Sequence, residues 1–148
     1  PGIDDSFLHE ITNQYPDIKI IKDSTYDLLS IADAAMVTSG TATLETALFG
    51  VPEVVCYLGS PLTYQIAKRL VSVPYISLVN LIMEKMVVKE LIQHEMNPEN
   101  LYRELKRLLN PDAVAEIKKD FAELNEKLMA GGKASETAAG IIQEMLLR

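Results

Sequence analysis

The stretch from Thr38 to Pro52 constrains the fold more than any other part of this chain. It lies between two apolar runs, 34–37 and 54–57. This pattern predicts a buried strand, a tight loop, a short helix that stops at Gly50, and a second buried strand. Because parallel strands need a crossover connection such as a helix, the stretch predicts one βαβ unit of a parallel sheet.

The predicted loop has the composition of an anion-binding site. At the N-terminus of a helix, unpaired backbone N–H groups and the helix dipole together favour a phosphate or another anion. Gly40 lets the chain approach a ligand closely, and the hydroxyls of Ser39, Thr41 and Thr43 add donors and acceptors. With Ala42, these residues form the candidate anion loop.

Glu45 lies one helical turn after Thr41 and therefore on the same face of the predicted helix. Leu44, Ala47 and Leu48 form the apolar face that we expect to pack on the sheet. A carboxylate at position 45 can accept two hydrogen bonds from the vicinal hydroxyls of a ribose. A solvated first-turn glutamate is the alternative interpretation, and the residues alone leave both open.

The overall composition excludes several classes of function. The net charge of -7 and the pI near 4.8 argue against a nucleic-acid groove, because phosphate contacts need clustered Lys and Arg. No stretch approaches the roughly 18 apolar residues of a membrane span. The single cysteine, Cys56, lies in an apolar strand, which predicts an inert core thiol in a reducing cytoplasm. Because the chain begins at Pro1 without Met, we expect a fragment or a processed product.

Strands and helices alternate before and after the central unit. A capping box with Asp in place of Glu is predicted to open a helix at Ser24. The pattern predicts helices over 4–14, 24–31 and 60–71, and strands over 18–21 and 74–78. The loops after residues 37, 57 and 78 would then open at the carboxyl edge of one parallel sheet, where open α/β sheets bind ligands.

Two residues near this predicted edge have two interpretations each. Tyr64, on the helix that Ser60 and Pro61 would begin, either stacks on a ligand or is a half-buried aromatic. Asn80 either contacts a base or sugar through its amide or ends its strand by an Asx turn.

The remainder of the chain is predicted to be helical. Helices are predicted over 89–95, from Asn97-Pro98 to about 109, from Asn110-Pro111 to Gly131, and from Ser135 onward. The third of these has a narrow apolar seam formed by Val114, Ile117, Phe121, Leu124 and Leu128. We predict a partial Rossmann-like domain over 1–110, with helices on both faces of its parallel sheet. Residues 111–148 form a helical C-terminal tail that packs on the domain or on a partner.

The sequence lacks the usual residue patterns of metal sites, of common nucleotide-binding loops and of serine nucleophiles. His9 and His94 have no second ligand at metal spacing, so we expect no metal site. The chain contains no GxGxxG, no P-loop and no nucleophile elbow, and we expect no cofactor.

A series of motifs resembles the C-terminal half of bacterial lipid-A-disaccharide synthases. The resemblance runs from about Tyr15 to Asn110 and continues more weakly to Glu136. The matching segments are 39–45, 50–52, 60–64, 67–70, 73–78 and Asn80. Val79 and Lys89 depart from the family, which usually has Pro at both positions. A Ser-Gly motif followed by Glu and then Gly-x-Pro is shared more loosely with other two-domain UDP-sugar glycosyltransferases.

The resemblance implies a GT-B glycosyltransferase that works without a metal. Such an enzyme transfers 2,3-diacylglucosamine from UDP to 2,3-diacylglucosamine 1-phosphate at the cytoplasmic face of the inner membrane. It implies that Ser39 to Thr43 hold the UDP diphosphate and that Glu45 holds the ribose. It implies that Ser60, Pro61, Leu62, Tyr64 and Asn80 contact the rest of the donor.

The resemblance also implies that the catalytic residues and the membrane-contacting surface belong to an N-terminal half upstream of Pro1. The C-terminal helices are implied to join a homodimer. Two alternatives remain open. One is another UDP-GlcNAc-type GT-B glycosyltransferase or an epimerase-like domain, and the other is a non-enzymatic α/β binding module.

Overall fold

A computed structural model describes residues 4–60, 74–130, 132 and 134–146. Its contacts divide the chain into two units, Pro1–Ala32 and Asp33–Arg148. The predicted helix over 60–71 falls almost entirely outside the described residues.

The first unit contains two helices. Helix α1 spans Asp5–Thr12, and the Asp4 carboxylate caps it by accepting a hydrogen bond from the amide of Ser6 (2.8 Å). Helix α2 spans Thr25–Ile31. Both predicted helices are confirmed, but the Ser24 side chain makes no capping hydrogen bond. The predicted capping interaction at Ser24 is therefore wrong.

The predicted strand over 18–21 is also wrong. These residues have no ladder partner in the described part of the chain, and Ile18, Ile20 and Ile21 are exposed. A short apolar run becomes a strand only when a neighbouring strand satisfies its backbone groups.

The second unit is built on a three-stranded parallel sheet. Strand β1 spans Ala35–Thr38, β2 spans Glu53–Tyr57 and β3 spans Lys89–Ile92, in the order β1-β2-β3. Val37 pairs with Val55, and Cys56 pairs with Leu91. The predicted α/β class with a parallel sheet is confirmed.

The central strand β2 is covered on both faces. Successive side chains of a strand point to opposite faces of the sheet, and Val54 and Val55 are both fully buried. They belong to a core cluster that also contains Val79, Val88, Leu91, Leu108, Ile117, Phe121 and Leu124. An uninterrupted apolar strand is what this double burial requires.

Helix α3, Thr41–Leu48, connects β1 to β2. Gly50 follows it with φ +72, a left-handed conformation that suits glycine at the end of a helix. Ala47 is buried as predicted, but Leu48 is 51% exposed, whereas Thr43 and Thr46 are buried. The two threonines tolerate burial because each hydroxyl donates to a backbone carbonyl of the preceding turn, at 2.8 Å in both cases.

Two predictions after residue 73 are wrong. The segment predicted as a strand over 74–78 instead leads into helix α4, Leu78–Met83, which Ser77 caps by accepting from the amide of Asn80 (3.3 Å). The segment predicted as a helix over 89–95 contains β3 and a short 3-10 turn, Gln93–Glu95. Short apolar runs do not distinguish strand from helix without the tertiary context that buries them.

Three helices follow, as predicted. Asn97 caps α5, Pro98–Leu108, by accepting from the amide of Asn100 (3.0 Å). Asn110 caps α6, Pro111–Ala130, in the same way through the amide of Asp112 (3.0 Å). Helix α7 spans Ala134–Leu146, so it begins one residue before the predicted cap at Ser135.

The apolar seam of α6 contributes to the core of the second unit. Ile117, Phe121 and Leu124 are buried in the core cluster, and Leu128 packs against it. On α7, by contrast, Ile141, Ile142, Met145 and Leu146 are exposed. The domain boundary at residue 110 stays a prediction.

Candidate functional site

The candidate anion loop begins where the β1–β2 ladder ends. Thr38 pairs with Cys56, and the amide of Ser39 donates to the carbonyl of Cys56 (3.2 Å). Ser39 and Gly40 then lead directly into α3. The parallel ladder therefore holds this loop at the carboxyl edge of the sheet, as predicted.

Gly40 has an unusual backbone conformation at the N-cap of α3. Its φ is +151 and its ψ is -165, a region that side-chain-bearing residues rarely adopt. A Cβ atom at this position would meet nothing within 4 Å. The glycine is therefore required by the backbone angle, and the space beside it is open.

The first amides of α3 are available to a ligand. Thr41 and Ala42 are exposed, and their N–H groups have no acceptor within the described ranges. The amide of Thr43 donates instead to the carbonyl of Gly40 (3.2 Å). Two free N–H groups at the positive end of a helix dipole favour an anion.

The three hydroxyl groups predicted to contact an anion differ in whether they have a proton free to donate. The Thr43 hydroxyl is buried and donates to the carbonyl of Gly40 (2.8 Å). The Ser39 hydroxyl donates to the carbonyl of Ile76 (3.1 Å). Each hydroxyl has only one proton, so in this structure neither has a donor left for a phosphate. Thr41 is the only hydroxyl of the three on an exposed residue.

Glu45 lies on α3 with its side chain partly exposed, whereas Thr43, Thr46 and Ala47 of the same helix are buried. No donor in the described part of the chain hydrogen-bonds or ion-pairs with its carboxylate. The carboxylate is therefore free to accept hydrogen bonds from a ligand bound beside the loop.

Asn80 is not at the end of a strand, as predicted, but inside α4, where it is fully buried. Its amide nitrogen donates to the carbonyl of Val88 (2.8 Å) and to a carboxylate oxygen of Glu90 (2.9 Å). Its amide oxygen accepts from the amides of Val87 (2.8 Å) and Val88 (3.0 Å). These four hydrogen bonds use both donors and both acceptor positions of the amide. The prediction of a strand end at Asn80 is wrong, because the residue lies in a helix.

The remaining predicted donor contacts are only partly described. Ser60 is exposed after β2, and Pro61, Leu62 and Tyr64 lie outside the described residues.

The sequence analysis did not identify Glu90 or Gln93. Glu90 is buried in β3. The only sequence feature that could have identified it is the presence of an acidic residue within the largely apolar run 87–92. Gln93 follows β3 at the carboxyl edge, with φ +53 and a buried amide nitrogen that has no partner among the described residues.

The metal-ligating residue types are dispersed. Over the described residues, no three His, Cys, Asp or Glu side chains converge on a possible metal position. His9 and His94 are exposed, and Cys56 is buried, which raises the pKa of its thiol through desolvation. Cys56 is the core thiol that the sequence predicts.

A three-stranded parallel sheet flanked by helices is the architecture of Rossmann-like α/β domains. The family model described as lipid-A-disaccharide synthetase matches residues 3–144. The chain belongs to this family.

Curated relatives agree with this assignment. The chain is 44% identical over 131 residues to the lipid-A-disaccharide synthase of Geobacter sulfurreducens, covering 88% of this chain and 34% of the relative. It is 44% identical over 124 residues to that of Syntrophus aciditrophicus, covering 83% and 32%. It is 41% identical over 138 residues to that of Acidobacterium capsulatum, covering 92% and 34%. The chain thus spans about a third of the length of these relatives.

Proposed function

We propose that this chain is the donor-binding part of a metal-independent GT-B glycosyltransferase. The full enzyme transfers 2,3-diacylglucosamine from UDP to 2,3-diacylglucosamine 1-phosphate in lipid A biosynthesis. Family membership supports the reaction, since the relatives are named lipid-A-disaccharide synthases. The observation that carries the binding role is the pair of N–H groups at Thr41 and Ala42, one helical turn before Glu45. Neither these N–H groups nor the Glu45 carboxylate has a hydrogen-bond partner among the described residues.

The loop contributes electrostatic stabilisation. As the bond between the donor sugar and UDP breaks, negative charge grows on the leaving diphosphate. The amides of Thr41 and Ala42 are oriented by α3 before the ligand arrives, so they stabilise this charge without reorganising. The Thr41 hydroxyl adds a third donor. Ser39 and Thr43 hold the loop in shape, and Asn80 is left out of the donor site because its amide is fully used.

Glu45 orients the nucleoside. An ionised carboxylate is an acceptor with two oxygens and can receive both hydroxyl protons of a ribose. Hydrogen bonds to a charged acceptor are worth about 1.5–3 kcal/mol each, so loss of Glu45 is expected to weaken UDP binding by at least tenfold.

Calorimetry with the full-length protein tests this role. Wild type is expected to prefer UDP to 2′-deoxy-UDP, because the deoxy ligand leaves one carboxylate oxygen without a donor. The Glu45→Ala variant is expected to lose both affinity and this preference. Glu126→Ala, which removes an exposed carboxylate from α6, is the matched control. Equal binding of the two nucleotides by wild type contradicts the ribose role.

Enzyme assays with the full-length protein test the reaction. We expect transfer from UDP-2,3-diacylglucosamine and none from UDP-N-acetylglucosamine, which has no acyl group on its 3-hydroxyl. The opposite preference would instead identify a related UDP-GlcNAc-type transferase.

The location and assembly of the full enzyme are part of the same proposal. No helix within the described ranges is long and apolar enough to cross a bilayer. We propose that the enzyme is cytoplasmic and peripheral at the inner membrane, where its acylated substrates reside. The exposed apolar residues of α7 support a homodimer through the C-terminal helices. Truncation before α7 is expected to give a monomer by light scattering.

A further inference from the structure

Glu90 is the acceptor at the centre of a buried polar network. Its carboxylate receives hydrogen bonds from the amides of Ile76 (3.0 Å) and Ser77 (2.9 Å), from the Ser77 hydroxyl (2.8 Å) and from the Asn80 side chain (2.9 Å). Glu90 is 7% exposed, and no lysine or arginine in the described part of the chain pairs with it. N–H and O–H donors alone therefore hold the carboxylate in one position.

One peptide unit connects this network to the candidate anion loop. The carbonyl of Ile76 and the amide of Ser77 belong to the same peptide plane. The carbonyl accepts from the Ser39 hydroxyl (3.1 Å), and the amide donates to Glu90 (2.9 Å). Because a peptide unit is planar and rigid, a movement of its amide also moves its carbonyl. Ser39 and Glu90 are therefore connected through this peptide, although the two side chains make no direct hydrogen bond.

This arrangement gives the Ser39 hydroxyl a role other than phosphate binding. Its single proton goes to the carbonyl of Ile76, so it anchors the loop instead of donating to a ligand. Ser39 immediately precedes Gly40, whose open conformation sets the direction of the free amides of Thr41 and Ala42. A shift of the Ile76–Ser77 peptide would therefore move the anchor of the residue that precedes these amides.

We propose that Glu90 is a positioning residue for diphosphate binding, which it controls through the Ile76–Ser77 peptide and the Ser39 hydroxyl. The proposal rests on the proposed donor site and adds a determinant on a different strand of the sheet. It links the buried carboxyl group of Glu90 on β3 to the geometry of the loop after β1.

The Glu90→Gln variant tests the proposal in the full-length protein. In this variant the amide nitrogen of the glutamine replaces one acceptor oxygen of Glu90. One of the N–H or O–H groups that now donate to Glu90 would then face another donor and lose its hydrogen bond. We expect the Kd for UDP to rise about fivefold to tenfold, the effect of losing a positioned hydrogen bond. The Kd for uridine, which has no phosphate, is expected to stay unchanged. Unchanged UDP affinity in Glu90→Gln would overturn the proposal.

A double-mutant cycle tests the connection between the two side chains. If Ser39 and Glu90 act through one peptide, the Ser39→Ala and Glu90→Gln double variant should bind UDP about as weakly as either single variant. Additive losses would show that Ser39 contacts the phosphate directly, and this outcome would refute the connection.

Two controls separate positioning from loss of stability. Glu53→Gln alters another buried glutamate, on β2, and Leu124→Ala opens the core under α6. Neither residue lies in the network, so both variants are expected to bind UDP like wild type at a temperature where they are folded. A raised Kd for UDP in either variant would mean that the loss of affinity is not specific to the Glu90 network, and would overturn the positioning role.

The Ser39→Ala variant decides the question if Glu90→Gln does not fold. It leaves the bonds to Glu90 intact, and we expect it to weaken UDP binding and spare uridine. Wild-type UDP affinity in this variant would overturn the proposal. The two proposals fail in different ways. If the wild-type protein does not bind UDP, the donor site is refuted. If wild type binds UDP and Glu90→Gln binds it equally well, only the role of Glu90 is refuted.

Discussion

The carboxyl group of Glu53 predicts how the stability of this chain depends on pH. Glu53 is fully buried at the start of β2, and neither of its oxygens has a hydrogen-bond partner in the described part of the chain. Burial without a partner penalises the charged form and raises the pKa of this group from 4.5 to about 9. The folded protein therefore holds Glu53 neutral at pH 7.

The size of the effect follows from the two pKa values. Between about pH 4.5 and pH 9, the folded state binds one proton more at this site than the unfolded chain does. The contribution of Glu53 to stability is fully present below pH 4.5 and is lost as pH rises toward 9. The free energy of unfolding falls by up to about 1.4 kcal/mol per pH unit over this window. From pH 6 to pH 8 the loss is about 3 kcal/mol.

Urea unfolding of wild type and Glu53→Gln at pH 6, 7 and 8 measures this loss. Glutamine has nearly the same shape and no charge to titrate, so the variant is expected to lack this part of the pH dependence. Its stability relative to wild type should therefore increase by about 3 kcal/mol across the series. Glu126→Gln, which alters an exposed side chain of α6, controls for the removal of one carboxylate. Parallel pH dependences in wild type and Glu53→Gln would refute the assignment of a neutral, unpartnered carboxyl group.

Three further variants test other parts of the structure by denaturation. Gly40→Ala is expected to lower the free energy of unfolding by about 1–3 kcal/mol. The cost is backbone strain at φ +151, since no atom obstructs the new methyl group. An unchanged free energy of unfolding would mean that the loop relaxes to another backbone conformation. Asn80→Ala leaves the buried backbone groups of Val87 and Val88 without partners and should cost about 3 kcal/mol or more. Leu124→Ala should cost about 2–5 kcal/mol by creating a cavity, whereas truncation of the exposed Met129 on the same helix should have little effect. Similar losses at positions 124 and 129 would contradict the placement of the α6 seam.

The sequence predicted the elements whose signals are local. The run from Ala34 to Tyr57 contains two apolar strands, a glycine stop and a helix between them, and the structure has all of these. The caps at Asn97 and Asn110 were equally clear, because an amide acceptor before Pro defines a helix start without reference to the rest of the chain.

Segments that depend on tertiary partners were predicted less well. The residues 74–78 and 89–92 are both short and partly apolar, and only their partners decide that the first begins a helix and the second pairs with β2. The prediction that Asn80 ends a strand failed for the same reason. In the sequence, a polar residue after an apolar run looks the same at a strand end and inside a helix.

The candidate site was predictable as a loop but not as a hydrogen-bond network. The positions of Gly40 at the start of α3 and of Glu45 on α3 followed from local spacing, and their roles in ligand binding stay predictions. The use of the Ser39 and Thr43 protons depends on carbonyl groups that only the fold brings near, one of them 37 positions away in the sequence.

Cys56 has a consequence for following the motions of this sheet. It is the single thiol of the chain, it is buried in the central strand, and its backbone carbonyl accepts the hydrogen bond that begins the anion loop. Since side chains stand out of the plane of a sheet, a thiol reagent reaches its sulfur only when the core packed over β2 opens locally. The alkylation rate of Cys56 in this chain therefore reports local opening of the core around β2, beside the loop, and a ligand bound at the loop should slow it.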